Sequence, residues 1–286
     1  MNNILITGAN GQLGSELKSL TKNSDKECFF YTDVQELDIT DHLAVLQFIE
    51  TNSIHLIINC AAYTAVDKAE SAFEISAALN HLAVENFAKI AKEKAIKLIH
   101  ISTDYVFDGN NYIPYNETDT PNPQSVYGET KLAGELAMQA VNPKGSIIIR
   151  TSWVYSSFGA NFVKTMLRLA SERDTLGVIS DQIGTPTYAG DLAKTILKIR
   201  SQLNNEAVAV YHYSNEGVCS WYDFSKAIFE IKNLKIKVNS ITSAAYPTAA
   251  KRPFYSVLSK NEIKTKFNIE IPYWRDALKR CLERLE

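Results

Sequence analysis

The sequence has few cysteines, and they are not arranged as close pairs or as metal ligands. Four occur in 286 residues, at Cys28, Cys60, Cys219 and Cys281, without a CxxC pair or nearby histidine ligands. This pattern argues against both a disulfide framework and a zinc site. Isolated thiols of this kind suit a reducing compartment, so we expect a cytoplasmic protein.

Long hydrophobic runs and an excess of charge of one sign are also missing. The longest apolar runs, such as residues 56–62, are far shorter than the roughly 20 residues that a transmembrane helix needs. The N-terminus has no charged segment followed by a long apolar core. With 30 basic and 32 acidic residues the net charge is −2, so no overall field attracts nucleic acid or an anionic membrane. We therefore expect no membrane and no nucleic acid among its partners.

Strand-length and helix-length segments alternate along the first half of the chain. The run Ile4-Leu5-Ile6 leads into a glycine turn at residues 7–14, and a helix is predicted over 15–20. Further strands are predicted at 28–31, 56–60, 97–102, 146–152 and 208–213, and helices at 41–50, 72–94 and 130–140. This alternation predicts an α/β Rossmann fold, a doubly wound parallel sheet with right-handed crossovers.

The pattern becomes less regular after residue 152. Turn-rich stretches at 181–187 and 245–253 separate helices predicted at 161–172 and 221–232. We therefore predict an NAD(P)-binding Rossmann domain over 1–152, to which the chain returns at about 188–213. Residues 153–187 and 214–286 are predicted to form a smaller C-terminal substrate-binding part.

Three glycines stand between the first strand and the first helix. Gly8, Gly11 and Gly14 let the backbone turn tightly and approach a pyrophosphate at the helix N-terminus, although they also suit a plain tight turn. Asp33 follows 19 residues after Gly14, where an acidic residue bonds the adenosine ribose. Its charge would repel a 2′-phosphate, so NADH is slightly favoured, with NADPH also accepted.

Two further segments have both a functional and a structural interpretation. Asp38 and Ile39 could reach the adenine, or Asp38 could simply stabilise a turn. Ala61 and Ala62 follow the third strand, and their small side chains would let a cofactor cross the carboxyl edge of the sheet. Residues 66–70 could continue that site or begin a charged helix.

Tyr127 and Lys131 lie four residues apart on a predicted helix, so both side chains share one face. An ammonium about 4 Å from a phenol favours the phenolate by about 4 kcal/mol at an effective dielectric of about 20, which predicts that Lys131 lowers the pKa of Tyr127 towards neutrality. Such a pair occurs by chance on many helices. Here Thr103 follows a strand at the same sheet edge, and the three side chains together predict a carbonyl reductase with Tyr127 as general acid.

The chain resembles the extended short-chain dehydrogenase/reductases, and among them the reductases of dTDP-linked 4-keto sugars. The similarity is carried by segments GANGQLG (8–14), AAYTAVDKAE (61–70), STDYVF (102–107), VYGETKLAGE (126–135), RTSWVY (150–155), NFVKTM (161–166), DQIGTPT (181–187) and AYPTAAKRP (245–253). It implies NAD(P)H-dependent reduction of the C4 keto group of dTDP-4-dehydro-L-rhamnose to dTDP-L-rhamnose, a precursor of bacterial surface polysaccharide.

The resemblance also implies roles for individual residues. It implies that Thr103, Tyr127 and Lys131 are catalytic and that residues 10–12 and 62–64 bind the cofactor. Together with the positions argued above, the predicted cofactor-binding residues are Gly8, Asn10, Gly11, Gln12, Leu13, Gly14, Asp33, Asp38, Ile39, Ala61, Ala62, Tyr63, Thr64, Tyr127 and Lys131. The substrate is assigned to Thr103, Asp104, Val106, Trp153, Asn161, Gln182, Arg252 and Ser256.

Physical chemistry supports part of this assignment and leaves part open. Arg252 can bind a diphosphate in bidentate fashion. Trp153 offers a flat face to a sugar or base, but it suits a buried core equally. Asn161 could bond the ligand or cap a helix, and Gln182 could bond the ligand or form a turn.

Some members of this superfamily are magnesium-bridged dimers. Glu16 matches one bridging glutamate, but Asp191 stands where another is expected, so Mg²⁺ is doubtful and the protein is expected to be a monomer or a homodimer. Two alternatives to the reductase remain open. One is a non-catalytic regulatory subunit resembling the β subunit of methionine adenosyltransferase, and the other is a reductase or epimerase of another nucleotide sugar.

Overall fold

The computed structural model describes residues 2–22 and 27–285. Its strands are β1 Asn2–Thr7, β2 Glu27–Thr32, β3 Ile54–Asn59, β4 Lys97–Thr103, β5 Ile147–Thr151, β6 Val154–Tyr155, β7 Thr175–Ile179, β8 Ile183–Gly184, β9 Thr187–Tyr188, β10 Ala209–His212, β11 Cys219–Ser220 and β12 Lys237–Ile241. Its α-helices are α1 Gln12–Thr21, α2 His42–Thr51, α3 Val66–Ala69, α4 Phe73–Ala77, α5 Ala83–Glu93, α6 Val126–Val141, α7 Phe162–Glu172, α8 Ala189–Ile199, α9 Trp221–Ile231, α10 Asn261–Phe267 and α11 Trp274–Glu283.

Six of these strands form one parallel sheet in the order β10-β5-β4-β3-β1-β2. The register pairs Thr7 with Asn59 and Thr103 with Thr151, so their carboxyl ends meet at one edge. The strand order reverses between β1 and β3, which is where ligands bind in open α/β sheets. The predicted doubly wound parallel fold is confirmed.

Helices cover both faces of the sheet and bury two apolar clusters against it. On one face, Leu17 of α1 and Ile196 of α8 pack on the strands. On the other face, Val45 of α2 and Phe87 of α5 do the same. Burying each such side chain contributes roughly 1.5–3 kcal/mol, which fixes the sheet and therefore the positions of its strand ends.

A third apolar cluster lies among α7, α9 and α11 and the small sheets of the second half. Phe224, Ile228 and Leu278 are fully buried there. Helix α9 begins with a capping box, in which the Ser220 hydroxyl accepts from the Asp223 N–H and the Asp223 carboxylate accepts from the Ser220 N–H. The division into a Rossmann and a substrate-binding part remains a prediction.

The helix predicted over 72–94 is interrupted in the structure. One turn of π-helix, Ala78–Leu82, separates α4 from α5. Single π-turns inside α-helices often mark functional sites, and this one points Asn80 into the protein. Among the described residues, we found no helix that combines the length and the apolar character needed to cross a membrane.

Candidate active site

A cleft of about 860 Å³ opens at the carboxyl edge of the sheet. It is lined by the β1–α1 turn, by the ends of β2, β3 and β4, by α6 and by residues 151–161. Sixteen predicted site residues line it, namely Gly8, Gly11, Gln12, Leu13, Asp33, Asp38, Ile39, Ala61, Ala62, Thr64, Thr103, Asp104, Tyr127, Lys131, Trp153 and Asn161. Residues from distant parts of the chain therefore meet in one cavity.

The glycine turn is built for close backbone approach. Gly8 has φ of +64°, and a Cβ there would lie 2.7 Å from Ala61 Cα. A Cβ on Gly14 would lie 2.4 Å from the Gly8 carbonyl oxygen, so this glycine packs beneath the turn rather than on the cleft. The Gly11 N–H donates to the Gly8 carbonyl at 3.0 Å and leads into α1. Side chains at Gly8 and Gly14 would collide with neighbouring backbone, so only glycine allows this tight turn, whose Gly8 and Gly11 line the cleft.

Asp33 joins β2 to the glycine turn. Its Oδ2 accepts from the Asn10 N–H at 3.0 Å, and its Oδ1 accepts from the Val34 N–H at 2.9 Å. The carboxylate therefore faces the cleft from a fixed position. Asp38 also lines the cleft while accepting from the Thr40 hydroxyl at 2.7 Å, which lowers the pKa of its carboxyl.

The segment after β3 is held by a residue that the sequence did not indicate. Asn80, on the π-turn, accepts from the Tyr63 N–H at 2.9 Å and donates to the Tyr63 carbonyl at 3.1 Å. Its Nδ2 also lies 3.2 Å from the Thr130 hydroxyl on α6. Tyr63 does not line the cleft, but these bonds fix the backbone between Ala62 and Thr64, which do.

Thr103, Tyr127 and Lys131 are brought together as predicted. Helix α6 begins at Val126 because the Ser125 hydroxyl accepts from the Gly128 N–H at 3.2 Å. A Cβ on Gly128 would lie 2.3 Å from the Tyr105 carbonyl oxygen, so the first turn of α6 packs tightly on the segment after β4. The Thr103 hydroxyl contacts both Tyr127 and the Asp104 carboxylate, at 3.0 Å in the latter case.

The expected effect of Lys131 on Tyr127 was wrong for this arrangement. Burial raises the pKa of the Tyr127 phenol above its ordinary value, against a smaller lowering by the Thr103 hydroxyl. Burial also lowers the pKa of Lys131 to about 8. Lys131 Nζ donates to the Ile101 carbonyl at 2.6 Å and lies 3.2 Å from His100 Nε2. Desolvation disfavours both charges, so spacing on the helix alone was not enough to predict the pKa.

Asp104 is a buried carboxyl beside Thr103 and Tyr127. Its burial raises its pKa to about 6, while the hydroxyls of Ser256 and Thr103 lower it. Ser256 is itself buried and lies behind Asp104 rather than on the cleft. The Asp104 carboxyl is therefore an acceptor for the Thr103 hydroxyl where Thr103 contacts Tyr127.

Trp153 forms one wall of the cleft in a strained conformation. Its φ of +48° lies in the left-handed region, which is uncommon for a bulky residue. Its ring stacks on Trp221 with centroids 3.5 Å apart and planes 7° apart. Because Trp221 covers one face of the indole, Trp153 cannot present both faces to a ligand.

Gly184→Ala should displace Trp153. The new Cβ would lie 2.6 Å from Trp153 Cε2 and 2.8 Å from Ser256 Oγ, and such overpacking costs roughly 1–3 kcal/mol. We expect a weaker near-ultraviolet circular dichroism signal from the stacked indoles and a lower free energy of unfolding. Gly177→Ala is the control, since its Cβ meets only the Ile241 side chain at 3.3 Å. Equal spectra for both variants would contradict this account of the wall.

Besides Ser256, three predicted substrate residues do not reach the main cleft. Gln182 and Arg252 line a separate cavity of about 350 Å³. Arg252 Nη2 donates to Asp67 Oδ2 at 2.5 Å and its Nη1 to the Tyr105 hydroxyl at 3.0 Å, which places it next to the main cleft. Val106 is fully buried in an apolar cluster, so it supports the site from beneath instead of facing a ligand.

Asn161 is a helix cap, one of the two roles that the sequence left open, and it also lines the cleft. Its Oδ1 accepts from the Lys164 N–H at 3.1 Å and caps α7, while its Nδ2 donates to Gln12 Oε1 at 3.0 Å across the cleft. Tyr105 was not predicted from the sequence, although it lines the cleft and its ring packs edge-on against Tyr127 at 5.5 Å. It stands beside Thr103 and Asp104 in the segment that carried the resemblance, which is the signal that could have identified it.

Glu16 and Asp191, the two residues at the positions considered for a metal bridge, are each paired with an arginine. Glu16 accepts from Arg284 Nη1 at 2.6 Å, and Asp191 accepts from Arg280 Nη2 at 2.6 Å. Within 2–22 and 27–285 there is no group of three or more His, Cys, Asp or Glu side chains that could hold a metal ion. Because guanidinium groups already neutralise both carboxylates, these residues do not fit a divalent cation, and Mg²⁺ stays doubtful.

The chain is similar to known proteins over its whole length. The family described as "RmlD substrate binding domain" matches residues 1–286. A dTDP-4-dehydrorhamnose reductase of Aggregatibacter actinomycetemcomitans is 43% identical over 289 residues, which cover 98% of each chain.

Solved structures agree with this similarity. A dTDP-4-dehydrorhamnose reductase from Clostridium acetobutylicum superposes with a TM-score of 0.93 at 44% identity, over 99% of both chains. One from Bacillus anthracis in complex with NADP has the same TM-score at 38% identity, again over 99% of both chains. The chain therefore belongs to the dTDP-4-dehydrorhamnose reductase family.

Proposed function

We propose that the protein reduces the C4 keto group of dTDP-4-dehydro-L-rhamnose to give dTDP-L-rhamnose, with NADH or NADPH as the reductant. The observation that carries this proposal is the meeting of Thr103, Tyr127 and Lys131 in the same cleft as the glycine turn. The family to which the chain belongs supplies the identity of the sugar nucleotide.

The nicotinamide cofactor supplies a hydride to the C4 carbon when it is bound. Gly8 and Gly11 place backbone next to its pyrophosphate, and Gly14 lets α1 pack close beneath. Asp33 holds the adenosine ribose, and the segment from Ala61 to Thr64 supports the cofactor across the sheet edge. Lys131 keeps an N–H for the nicotinamide ribose.

Tyr127 supplies the proton. Since burial keeps the pKa of its phenol above the ordinary value, Tyr127 remains protonated throughout the physiological range. It can therefore donate to the oxygen at C4 as negative charge develops there. Thr103 positions the same oxygen by turning its single O–H, which donates to Asp104 Oδ1 in the structure, towards the substrate.

The remaining substrate contacts divide between the two cavities. Asp104, Trp153 and Asn161 line the main cleft and are proposed to face the sugar. Arg252, fixed by Asp67 and Tyr105, is proposed to bind the diphosphate, with Gln182 nearby and Ser256 behind Asp104.

Asp33→Ala should improve the use of NADPH relative to NADH. Removing one carboxylate from the ribose site removes its repulsion of a 2′-phosphate, and about 1.4 kcal/mol of such repulsion corresponds to a tenfold change in the ratio of kcat/KM values. Steady-state kinetics with both coenzymes measure this ratio. Asp119→Ala removes the same charge from a position that does not line the cleft and should leave the ratio unchanged. No change in Asp33→Ala would show that Asp33 does not face the 2′ position.

The choice of sugar nucleotide is tested by comparing 4-keto sugars. The purified protein should consume NADH or NADPH with dTDP-4-dehydro-L-rhamnose and form dTDP-L-rhamnose, identified by NMR. It should be at least tenfold less active with a UDP-linked 4-keto sugar. Equal activity with both would favour a reductase of broader specificity.

We infer the cellular location of the protein from its proposed substrate. Nucleotide sugars and nicotinamide coenzymes are soluble metabolites, so we propose a cytoplasmic enzyme that supplies surface polysaccharide synthesis. With Glu16 and Asp191 paired to arginines of the same chain, a metal bridge is not needed for a folded monomer. Light scattering with and without a chelator distinguishes a monomer from a homodimer and detects any metal dependence.

A further inference from the structure

Tyr105 is a cleft residue that lies where the two cavities adjoin. It belongs to the short 3₁₀ turn Asp104–Val106 and lines the main cleft. Its ring packs edge-on against Tyr127, and its hydroxyl lies 3.0 Å from Nη1 of Arg252, which lines the second cavity. One side chain therefore contacts both the proposed proton donor and the residue proposed to bind the diphosphate.

The Tyr105 hydroxyl accepts one hydrogen bond and keeps its own proton for another. A guanidinium can only donate, so the phenolic oxygen accepts from Arg252. A phenol also has one O–H, and no hydrogen bond among residues 2–22 and 27–285 has the Tyr105 O–H as its donor. Burial raises the pKa of this phenol, against a smaller lowering by the charge of Arg252, so the phenol stays protonated near pH 7. The O–H is therefore available to a ligand.

Tyr105 is held in place by its backbone and by its ring. Its N–H donates to the Thr103 hydroxyl at 3.2 Å. A Cβ on Gly128 would lie 2.3 Å from the Tyr105 carbonyl oxygen, so α6 packs directly on this turn. The contacts with Tyr127 and Arg252 then restrict rotation of the phenol. A donor that is already ordered binds a ligand at a smaller cost in side-chain entropy.

Arg252 is fixed beside this hydroxyl by Asp67. Asp67 Oδ2 accepts from Arg252 Nη2 at 2.5 Å, and Asp67 Oδ1 accepts from the Ala250 N–H at 3.1 Å. These bonds tie α3 to the segment that carries Arg252. Of the five N–H groups of a guanidinium, one is used by Asp67 and one by Tyr105, which leaves three for a ligand.

The charges at this point favour a further neutral donor. Because Asp67 and Arg252 form an ion pair, their charges partly offset each other and the guanidinium attracts an anion less strongly than an unpaired one would. The oxygens of an ionised diphosphate can only accept, and hydrogen bonds to charged oxygens are about twice as strong as neutral ones. We infer that Tyr105 is a substrate-binding residue that donates its O–H to a diphosphate oxygen bound by Arg252. This inference rests on the proposed function.

Binding of dTDP to the NADH-saturated protein tests the inference without turnover. Tyr105→Phe removes only the phenolic oxygen. Loss of a hydrogen bond to a charged group should weaken dTDP binding by at least about tenfold in isothermal titration calorimetry. Tyr222→Phe is the matched control, since Tyr222 lies on α9, lines neither cavity and should leave the affinity unchanged.

Thymidine, which lacks both phosphates, should bind the wild type and Tyr105→Phe equally. Equal affinity of these two proteins for dTDP would overturn the inference, and so would an equal loss of thymidine affinity. Failure of the wild-type protein to bind dTDP would instead contradict the proposed function itself.

A second background separates direct binding from support of Arg252. The double substitution Asp67→Asn with Arg252→Met removes both charges and weakens dTDP binding. Tyr105→Phe should weaken it by at least about threefold more in this background, because the O–H still contacts the diphosphate. No further loss would show that Tyr105 acts only through Arg252 and would overturn the inference.

Steady-state kinetics of Tyr105→Phe provide a third readout. A contact remote from the reacting carbon is made equally in the ground state and the transition state, so KM for the nucleotide sugar should rise by about tenfold, with a smaller effect on kcat. The affinity for NADH should not change. A loss confined to kcat would contradict a binding role for the Tyr105 hydroxyl.

Discussion

Tyr127→Phe is expected to lower kcat for reduction of the 4-keto sugar by roughly 10²- to 10⁴-fold, the usual contribution of a positioned general acid. The substitution removes only the phenolic oxygen. The ring remains packed against Tyr105 at 5.5 Å, and the glycine turn and Asp33 are untouched. We therefore expect NADH to bind with an affinity within about twofold of the wild type, because Tyr127 gives up its proton only during the chemical step.

Single-turnover kinetics and fluorescence titration with NADH measure the two quantities separately. Tyr112→Phe is the matched control, because Tyr112 is 87% exposed and does not line the cleft. Wild-type turnover by Tyr127→Phe would rule out Tyr127 as the proton donor. A large loss of NADH affinity would instead indicate that the phenol mainly supports the cofactor.

Arg150→Met is expected to lower the free energy of unfolding by roughly 3–5 kcal/mol, because it leaves a buried carboxylate without its partner. Arg150 and Glu135 have side-chain exposures of 4% and 0%. Arg150 Nε lies 3.0 and 3.1 Å from the two oxygens of Glu135, and its Nη2 lies 2.7 Å from one of them. The charge of Glu135 also raises the pKa of Lys131, against a larger lowering by burial.

Urea unfolding at pH 7 measures this change. Arg168→Met breaks an exposed pair with Glu172, whose side chains are 60% and 47% exposed, and should cost less than about 0.5 kcal/mol. The double substitution Arg150→Met with Glu135→Leu should recover part of the lost stability, since no unpaired charge remains. A cost below about 1 kcal/mol for Arg150→Met would show that Glu135 finds another partner or becomes protonated.

The sequence was sufficient to predict the sheet and the residues at its carboxyl edge. Strand and helix lengths are local properties, and the carboxyl ends of parallel strands necessarily meet at one edge. Gly8, Thr103 and Tyr127 could therefore be assigned to one site without coordinates.

The environment of each of these groups could not be predicted in the same way. The pKa of Lys131 depends on its burial and, to a smaller extent, on Glu135 and on Cys60, which follows β3. Val106 faces the core because the turn after β4 tucks it under Tyr115 and Leu258. The contacts of Asn80 depend on a π-turn that periodicity does not reveal. These features arise from packing between segments that are distant in sequence.

The central claim is tested most directly by following the absorbance of NADH and NADPH with dTDP-4-dehydro-L-rhamnose generated enzymatically in place. We expect consumption of at least one coenzyme in stoichiometric amount with dTDP-L-rhamnose formed, and loss of this activity in Tyr127→Phe. Consumption of neither coenzyme by folded protein that still binds NADH would contradict the account and favour a non-catalytic nucleotide-binding subunit.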